Sequence, residues 1–373
     1  MSAALETLRS WGSPLVVVRR WAGNTNARPE VELLLRLDGV EEAPGRRPVL
    51  AFERNSCWRF EPTATFEVAT DSVTASAPDG TTTRVARLML PDSVAQAVHL
   101  GQWSTRDLGL PSILPSACGR IGPSAPPRPR AAKALIFWAD FGAHSRVALW
   151  WACATQPRAD PVAVIAMPRR GDDLDEICFG RTPGELMDAA PGLRLLTRRQ
   201  VKQFARNWRE WCSGRPPRAV ELPNWPEASA WVGQVPTPLW EFFPRRDQAL
   251  RLSEFDRVIL EHIGPDWSTP LAMHMRMLRG QQARQGFWGN LTITARIAAW
   301  AAWEKGRFVE RRRATGKAPM TRWEYRVTTA GLALRDRMTR LQDAPPFKLG
   351  GFSFYSPRSW VMSEGSPVRT RLR

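Results

Sequence analysis

Residues 307–334, RFVERRRATGKAPMTRWEYRVTTAGLAL, carry the most specific local pattern in the chain. Its two ends, 307–310 and 323–327, alternate apolar and polar side chains with the period of two that predicts β-strands. The segment between them is basic and contains glycine and proline, which favours a loop. The Thr-Thr-Ala-Gly sequence at 328–331 then predicts the start of a closing helix. The stretch therefore predicts a two-stranded ribbon with a basic loop, followed by a helix.

Three helices are predicted before this ribbon. Ser253 caps the first helix, which ends at Gly264-Pro265, and Thr269-Pro270 begins the second, which runs to Gly280. The third spans roughly 290–304 and has apolar positions at helical spacing. Three helices, a ribbon and a closing helix are the order of a winged helix, which we assign to residues 251–345.

The position of the charge predicts the partner. The chain carries 53 Lys and Arg against 36 Asp and Glu, a net charge of +17, and residues 252–373 supply +11 of it from 21 basic and 10 acidic residues. Such an excess favours polyanions, and we expect nucleic acid, in the first place DNA, held mainly through phosphates. The expected phosphate contacts are Arg311, Arg312, Arg313, Lys317 and Arg322. The expected groove contacts on the third helix are Thr292, Thr294 and Arg296.

The rest of the chain predicts a multidomain α+β and α/β protein. Residues 1–114 contain short β-type runs, with a hairpin at Asp79-Gly80 and one short helix near 93–99, and 115–130 form a proline-rich linker. Residues 131–250 predict a small parallel α/β domain with an aromatic connector, from strands at 134–138 and 161–167 around a helix at 145–153. Residues 346–373 are expected to add a strand and a basic tail.

The sequence predicts a second helix in this middle domain, at 197–212. Thr197 and Gln200 match a capping box, and Gly214 ends the helix. One face of the helix is apolar. The opposite face carries Arg199, Lys202, Arg206 and Arg209.

Several stretches between about 134 and 355 resemble a known bacterial family. They are the aliphatic strand that ends at Trp138, VALWWA at 147–152, LTRRQVKQFARNW at 196–208, FPR at 243–245, LSEFDRVIL at 252–260, and LGG at 349–351 ahead of Trp360. Together they are similar to the family called domain of unknown function 1835, with the winged-helix-like region that commonly follows it. The resemblance implies this domain order and brings no catalytic or binding residue with it.

Enzymatic signatures are missing from the sequence. The five cysteines are scattered and form no CxxC pair, and neither a phosphate-binding glycine loop nor a nucleophile elbow occurs. We therefore predict no catalytic residue, cofactor or metal. Asp140 with His144 is the best catalytic pair on offer, and the acids at 172–176 are the best candidate for a metal, although both patterns are more typical of ordinary surface.

Two alternatives to nucleic-acid binding stay open. The first is an adaptor or scaffold subunit whose winged helix docks other proteins, and the second is an enzyme on the α/β domain. No apolar run of about 20 residues predicts a membrane span, and residues 1–11 lack the basic and apolar pattern of a secretory signal, so we expect a cytoplasmic protein without a membrane partner.

Overall fold

The structure is a computed structural model with several small sheets and eight described helices, an α+β architecture. It describes residues 2–11, 15–23, 25–26, 29–43, 47–52, 56–60, 63–91, 93, 97–101, 133–139, 143–167, 183–226, 231–246, 250–279, 290–303, 308–317, 320–336, 344–349, 351–356 and 358–371. The expected linker at 115–130 lies outside these residues. None of the described helices is long and apolar enough to cross a membrane.

The first unit is a seven-stranded antiparallel sheet with the strand order β4-β3-β2-β1-β7-β6-β5. Its elements are α1 (Ser2–Ser10), β1 (Leu15–Ala22), β2 (Val31–Ala43), β3 (Arg47–Phe52), β4 (Ser56–Arg59), β5 (Thr65–Val68), β6 (Ser72–Ser76) and β7 (Thr81–Arg87). Helix α1 places Ala4 and Leu8 in one apolar cluster with Val16 and Val18 of β1. The predicted hairpin is confirmed, because Gly80 takes a φ of 83° between β6 and β7.

The second unit is a four-stranded sheet with the order β11-β10-β9-β8. Its elements are β8 (Val98–Gly101), β9 (Leu135–Ala139), α2 (Ala143–Thr155), β10 (Val162–Ala166), α3 (Pro183–Ala189) and β11 (Arg194–Leu195). The first three strands run parallel, and every residue of β9 is buried, as expected for a strand covered on both faces. The predicted strand, helix and strand are confirmed.

Strand β8 corrects two expectations. The helix expected near 93–99 does not extend through its end, because residues 98–101 form a strand. This strand lies inside the range predicted for the first domain, yet it pairs with β9 in the second sheet. The second sheet therefore takes a strand from each side of the expected linker.

Helix α4 (Arg198–Cys212) packs on α2 and is built as the sequence predicts. The Thr197 side chain accepts a hydrogen bond from the Gln200 backbone, and the Gln200 side chain accepts one from the Thr197 backbone. Phe204 and Trp211 are buried on the inner face. A short 3-10 helix, Thr237–Phe242, then brings aromatic rings of the connector into the same core.

The C-terminal part begins with β12 (Arg245–Arg246) and β13 (Leu250–Arg251), followed by α5 (Glu254–Ile263), α6 (Pro270–Arg279) and α7 (Asn290–Ala301). A two-stranded ribbon, β14 (Val309–Arg313) and β15 (Trp323–Val327), and helix α8 (Thr329–Asp336) come next. Between α5 and α6, Ser268 forms an isolated antiparallel bridge to Tyr325 of the ribbon. The three predicted helices and both ribbon strands are therefore present.

The last segment belongs to the core, although we expected a strand and a tail. It consists of β16 (Phe347–Leu349), β17 (Phe352–Phe354), β18 (Arg358–Ser363) and β19 (Ser366–Arg371). Strand β18 pairs with β12 and β19 in a sheet ordered β13-β12-β18-β19. Phe347, Phe352 and Phe354 join the apolar cluster that also holds residues of α2, α4, α5 and the ribbon. One continuous core therefore spans the boundaries that we placed near 250 and 345.

Candidate nucleic-acid interface

The ribbon register divides its side chains between two faces. The cross-strand pairs Val309–Val327, Arg311–Tyr325 and Arg313–Trp323 alternate with Glu310–Arg326 and Arg312–Glu324. Because successive side chains of a strand point to opposite faces, the first three pairs share one face and the last two share the other. Val309, Tyr325 and Val327 are buried, so the first face packs on the core at its base.

The second face is a closed network of charges around Trp267. The Arg312 and Arg326 guanidinium carbons lie 4.6 Å and 4.7 Å from the centre of the Trp267 ring. Arg312 Nε donates to Glu324 Oε2 at 2.7 Å, and Arg326 Nε donates to Glu310 Oε2 at the same distance. Both cations are thus balanced by a carboxylate and stacked on an indole.

This network changes the role that the sequence predicted for Arg312. Its charge is already paired with Glu324, so Arg312 contributes less to the ribbon's attraction for a polyanion than an unpaired arginine does. Trp267 was not singled out from the sequence, because only the bridge from Ser268 to β15 brings this loop residue onto the ribbon. The network holds the loop after α5 against β15.

Four other predicted contacts remain on the exposed surface. Arg311, Arg313, Lys317 and Arg322 are all exposed. The Arg311 guanidinium carbon lies 5.1 Å from the centre of the Trp323 ring, which holds it over the end of the ribbon. Within the part of the chain that the structure describes, none of the four forms an ion pair. They form a cationic group at the loop end of the ribbon.

The base of the ribbon is fixed to α8. Thr328 donates its backbone N–H to the Phe308 carbonyl at 3.0 Å, and its hydroxyl accepts from the Gly331 N–H at 3.1 Å. At position 331 a Cβ would meet the Phe308 carbonyl oxygen and Cγ2 of Val327, so only glycine fits this close approach. The Thr-Thr-Ala-Gly sequence therefore caps the helix and docks it on the strand.

Arg296 is not a groove contact, which corrects our expectation. Its side chain is fully buried, and Nε and Nη2 donate to the Asp256 carboxylate at 2.6 Å and 3.1 Å. Nη1 donates to the Pro345 carbonyl at 2.9 Å. Asp256 also accepts from Trp300 Nε1 at 2.8 Å and from the Ser253 hydroxyl at 2.9 Å. The arginine is enclosed in a satisfied buried network and cannot reach a ligand.

The described side chains of α7 other than Arg296 offer little to a DNA groove. Ile293, Ala295, Ile297 and Trp300 are buried. Thr294 is half-buried, and the Thr292 side chain lies outside the described part of the structure. Among the described side chains of this helix, the other half-buried ones are alanines, which carry no donor or acceptor for a base edge. These side chains therefore pack mainly in the core and offer few groups that could contact the bases of a nucleic acid.

The other candidate sites receive no support. Asp140, the side chain of His144 and the acidic residues at 172–176 lie outside the described residues. Among the described side chains, no group of three His, Cys, Asp or Glu residues could hold a metal. Burial raises the pKa of Cys153 to about 12, so this thiol stays protonated and is a poor nucleophile.

Comparisons with known proteins identify no relative of this chain. No family model matches the chain, and neither a curated protein nor a solved structure does. The resemblance to the domain of unknown function 1835 family therefore stays a prediction.

Proposed function

We propose that residues 254–336 form a winged helix that binds nucleic acid through its phosphates. The observation that carries the proposal is a group of exposed cations at the loop end of the ribbon that form no ion pair with any residue the structure describes: Arg311, Arg313, Lys317 and Arg322. The element order of three helices, a ribbon and a closing helix supports the fold assignment. The isolated bridge from Ser268 to Tyr325 supports it further, because it places the segment between the first two helices beside the ribbon.

The cations of the ribbon fall into two groups with different roles. Arg312 and Arg326 stabilise the ribbon through Glu324, Glu310 and Trp267, whereas the cations at the loop end are the ones offered to the ligand. Each phosphate contact releases counterions, with a slope of roughly 0.9 in log K against log salt on duplex DNA. Four contacts therefore predict a fall in affinity of about 150-fold between 50 and 200 mM salt. Binding of this kind is independent of base sequence.

A charge-reversed ribbon tests the proposal. The ribbon variant carries Arg311→Glu, Arg313→Glu and Lys317→Glu, and the control variant carries Arg9→Glu, Arg59→Glu and Arg84→Glu, which are exposed positions far from the ribbon in sequence. Both variants change the net charge equally. Fluorescence anisotropy with labelled duplex DNA, single-stranded DNA and RNA at 50 mM salt should show weaker binding by the ribbon variant alone. Equal binding by the wild type and the ribbon variant would refute the proposal.

One observation favours the alternative hypothesis that the protein is an adaptor subunit. Leu271 and Met275, one turn apart on α6, are 41% and 44% exposed, so two large apolar side chains lie next to each other at the surface. The Leu271 N–H donates to the Met320 carbonyl, so this apolar pair lies beside the ribbon loop. If the module docks a protein there, Leu271→Glu with Met275→Glu abolishes a complex that survives nuclease treatment. The ribbon variant would leave such a complex intact.

A further inference from the structure

Helix α4 carries a line of basic side chains on its exposed face. Arg199, Lys202, Arg206 and Arg209 follow one another at spacings of three, four and three residues, and all four are exposed. This spacing places them on one side of the helix, over about 15 Å of its axis at 1.5 Å per residue. We call these four residues the α4 stripe. It lies outside the proposed winged helix.

The stripe is only weakly neutralised. The one carboxylate of the helix is Glu210, which is mostly buried and accepts from Arg206 Nε at 2.8 Å. The nearby Asp160 is paired with Arg198 at 2.7 Å, outside the stripe. Among the described residues, Arg199, Lys202 and Arg209 form no ion pair. The surface therefore keeps a positive charge along most of its length.

Several of these charges oppose the local electrostatics of the helix, although Arg209 lies in the last turn, where the helix dipole favours a cation. Like charges three or four residues apart repel each other, and the stripe contains three such neighbouring pairs. Arg198 and Arg199 occupy the first turn, where the helix dipole is positive and which contains no acidic residue; Arg198 is balanced by Asp160 from outside the helix. A face that served only for solubility would gain stability from mixed charges. The one-signed arrangement instead fits a surface that meets an anionic partner.

The helix holds this surface rigidly. Phe204 and Trp211 anchor the inner face in the core, and the capping box fixes the first turn. On the flank, Asn207 donates to the Arg218 carbonyl at 2.7 Å and accepts from the Arg218 N–H at 3.1 Å. A rigid backbone lowers the entropic cost of ordering the cations on a ligand.

We infer that the α4 stripe is a second phosphate-binding surface, which contacts the backbone of a nucleic acid independently of the ribbon. A linear array of cations on a straight element is complementary to the regular line of phosphates along a strand. The inference shares with the proposed function only the class of partner, because the stripe needs no residue of the ribbon.

The test measures salt dependence with four proteins and a 30-base-pair duplex. The stripe variant carries Arg199→Glu, Lys202→Glu and Arg209→Glu, and it is compared with the wild type, the ribbon variant and the control variant. Loss of three phosphate contacts is expected to reduce the magnitude of the slope of log K against log salt by about 2.7. The control variant is expected to keep the wild-type slope. An unchanged slope in the stripe variant, or an equal reduction in the control variant, would overturn the inference.

The same data separate the two surfaces. If the stripe variant loses slope and the ribbon variant does not, the inference stands and the proposed function fails, whereas the reverse result removes the inference alone. Vesicles with 30% phosphatidylserine form a further arm. Loss of vesicle binding with unchanged duplex binding would overturn the inference in favour of a membrane surface.

The unfolding temperature provides an independent measurement, because a variant that folds poorly would have a lower unfolding temperature and not a higher one. Because Arg199 opposes the helix dipole and its basic neighbour, Arg199→Glu alone is expected to raise the unfolding temperature while it weakens duplex binding. A lower unfolding temperature with unchanged binding would contradict the assignment. Arg199→Gln, which removes the charge without reversing it, should give a smaller change in the same direction on both measurements.

Discussion

Removal of the Asp256 carboxylate should destabilise the protein strongly. The residue is fully buried on α5, and it accepts hydrogen bonds from Arg296, Trp300 and the Ser253 hydroxyl. In Asp256→Ala the Arg296 guanidinium keeps its bond to the Pro345 carbonyl but loses its counter-ion in a site without water access. Breaking a buried ion pair from one side costs about 3–5 kcal/mol. The unpaired indole N–H of Trp300 places the expected loss toward the upper end of this range.

The structure also predicts how this loss can be recovered. Replacement of a buried ion pair by apolar side chains of similar volume is often neutral, because no charge is then left unpaired. The double variant Asp256→Leu with Arg296→Met should therefore be more stable than either single variant. Arg257→Gln serves as the control, since Arg257 pairs with Glu254 at the surface and such pairs contribute at most about 1 kcal/mol.

Urea denaturation followed by tryptophan fluorescence and circular dichroism provides the assay. The free energies of unfolding of the wild type, Asp256→Leu, Arg296→Met and the double variant form a double-mutant cycle, and Arg257→Gln is measured beside them as the control. We expect a large coupling energy between positions 256 and 296. Single variants that cost less than about 1 kcal/mol, or a double variant that costs the sum of the two, would show that the buried network does not hold the helices together.

Three further predictions concern single positions. Arg313→Ala should lower the salt slope of duplex binding by about 0.9, and Arg312→Ala by clearly less, because only Arg312 is already paired; equal slopes for the two would contradict this. Burial lowers the pKa of His274, so the folded protein takes up this proton at a lower pH than the unfolded chain does, and stability should fall as the pH drops below 6.5; denaturation of His274→Gln between pH 7.5 and 5.5 should show a flatter dependence. Gly331→Ala drives a Cβ into the Phe308 carbonyl and should cost about 1–3 kcal/mol in denaturant, and a neutral result would argue against the close contact.

Local signals in the sequence predicted six of the eight described helices and missed α1 and α3. Helix α4 begins and ends within a residue of the prediction, because its capping box and the glycine at 214 act within a few residues of the helix ends. The parallel pairing of β9 and β10 also follows from a local strand, helix and strand pattern. By contrast, β8 joins β9 across more than 30 residues, and nothing near residue 98 indicates that partner.

The charged side chains were harder to assign, because their roles depend on distant partners. Arg296 lies on a helix whose other polar residues suggested a groove, and its counter-ion Asp256 is 40 residues away. Asp256 lies in the first turn of α5, where an acidic residue is expected from the helix dipole alone, so nothing in the local sequence indicates its pairing with Arg296. The Arg312–Glu324 pair depends on the ribbon register, which the sequence of a nine-residue connection does not determine. The sequence therefore shows where the basic residues are concentrated. Only the fold shows which of them are paired with a carboxylate.

The most direct test of the proposed interface neutralises the ribbon cations that have no ion pair among the described residues. In this variant Arg311, Arg313, Lys317 and Arg322 are each changed to glutamine, and duplex binding is followed from 50 to 200 mM salt. We predict that the magnitude of the slope of log K against log salt falls by about 3.6 relative to the wild type. A change smaller than that caused by neutralising the paired Arg312 and Arg326 would contradict the account, because the binding would then not depend on the exposed end of the ribbon.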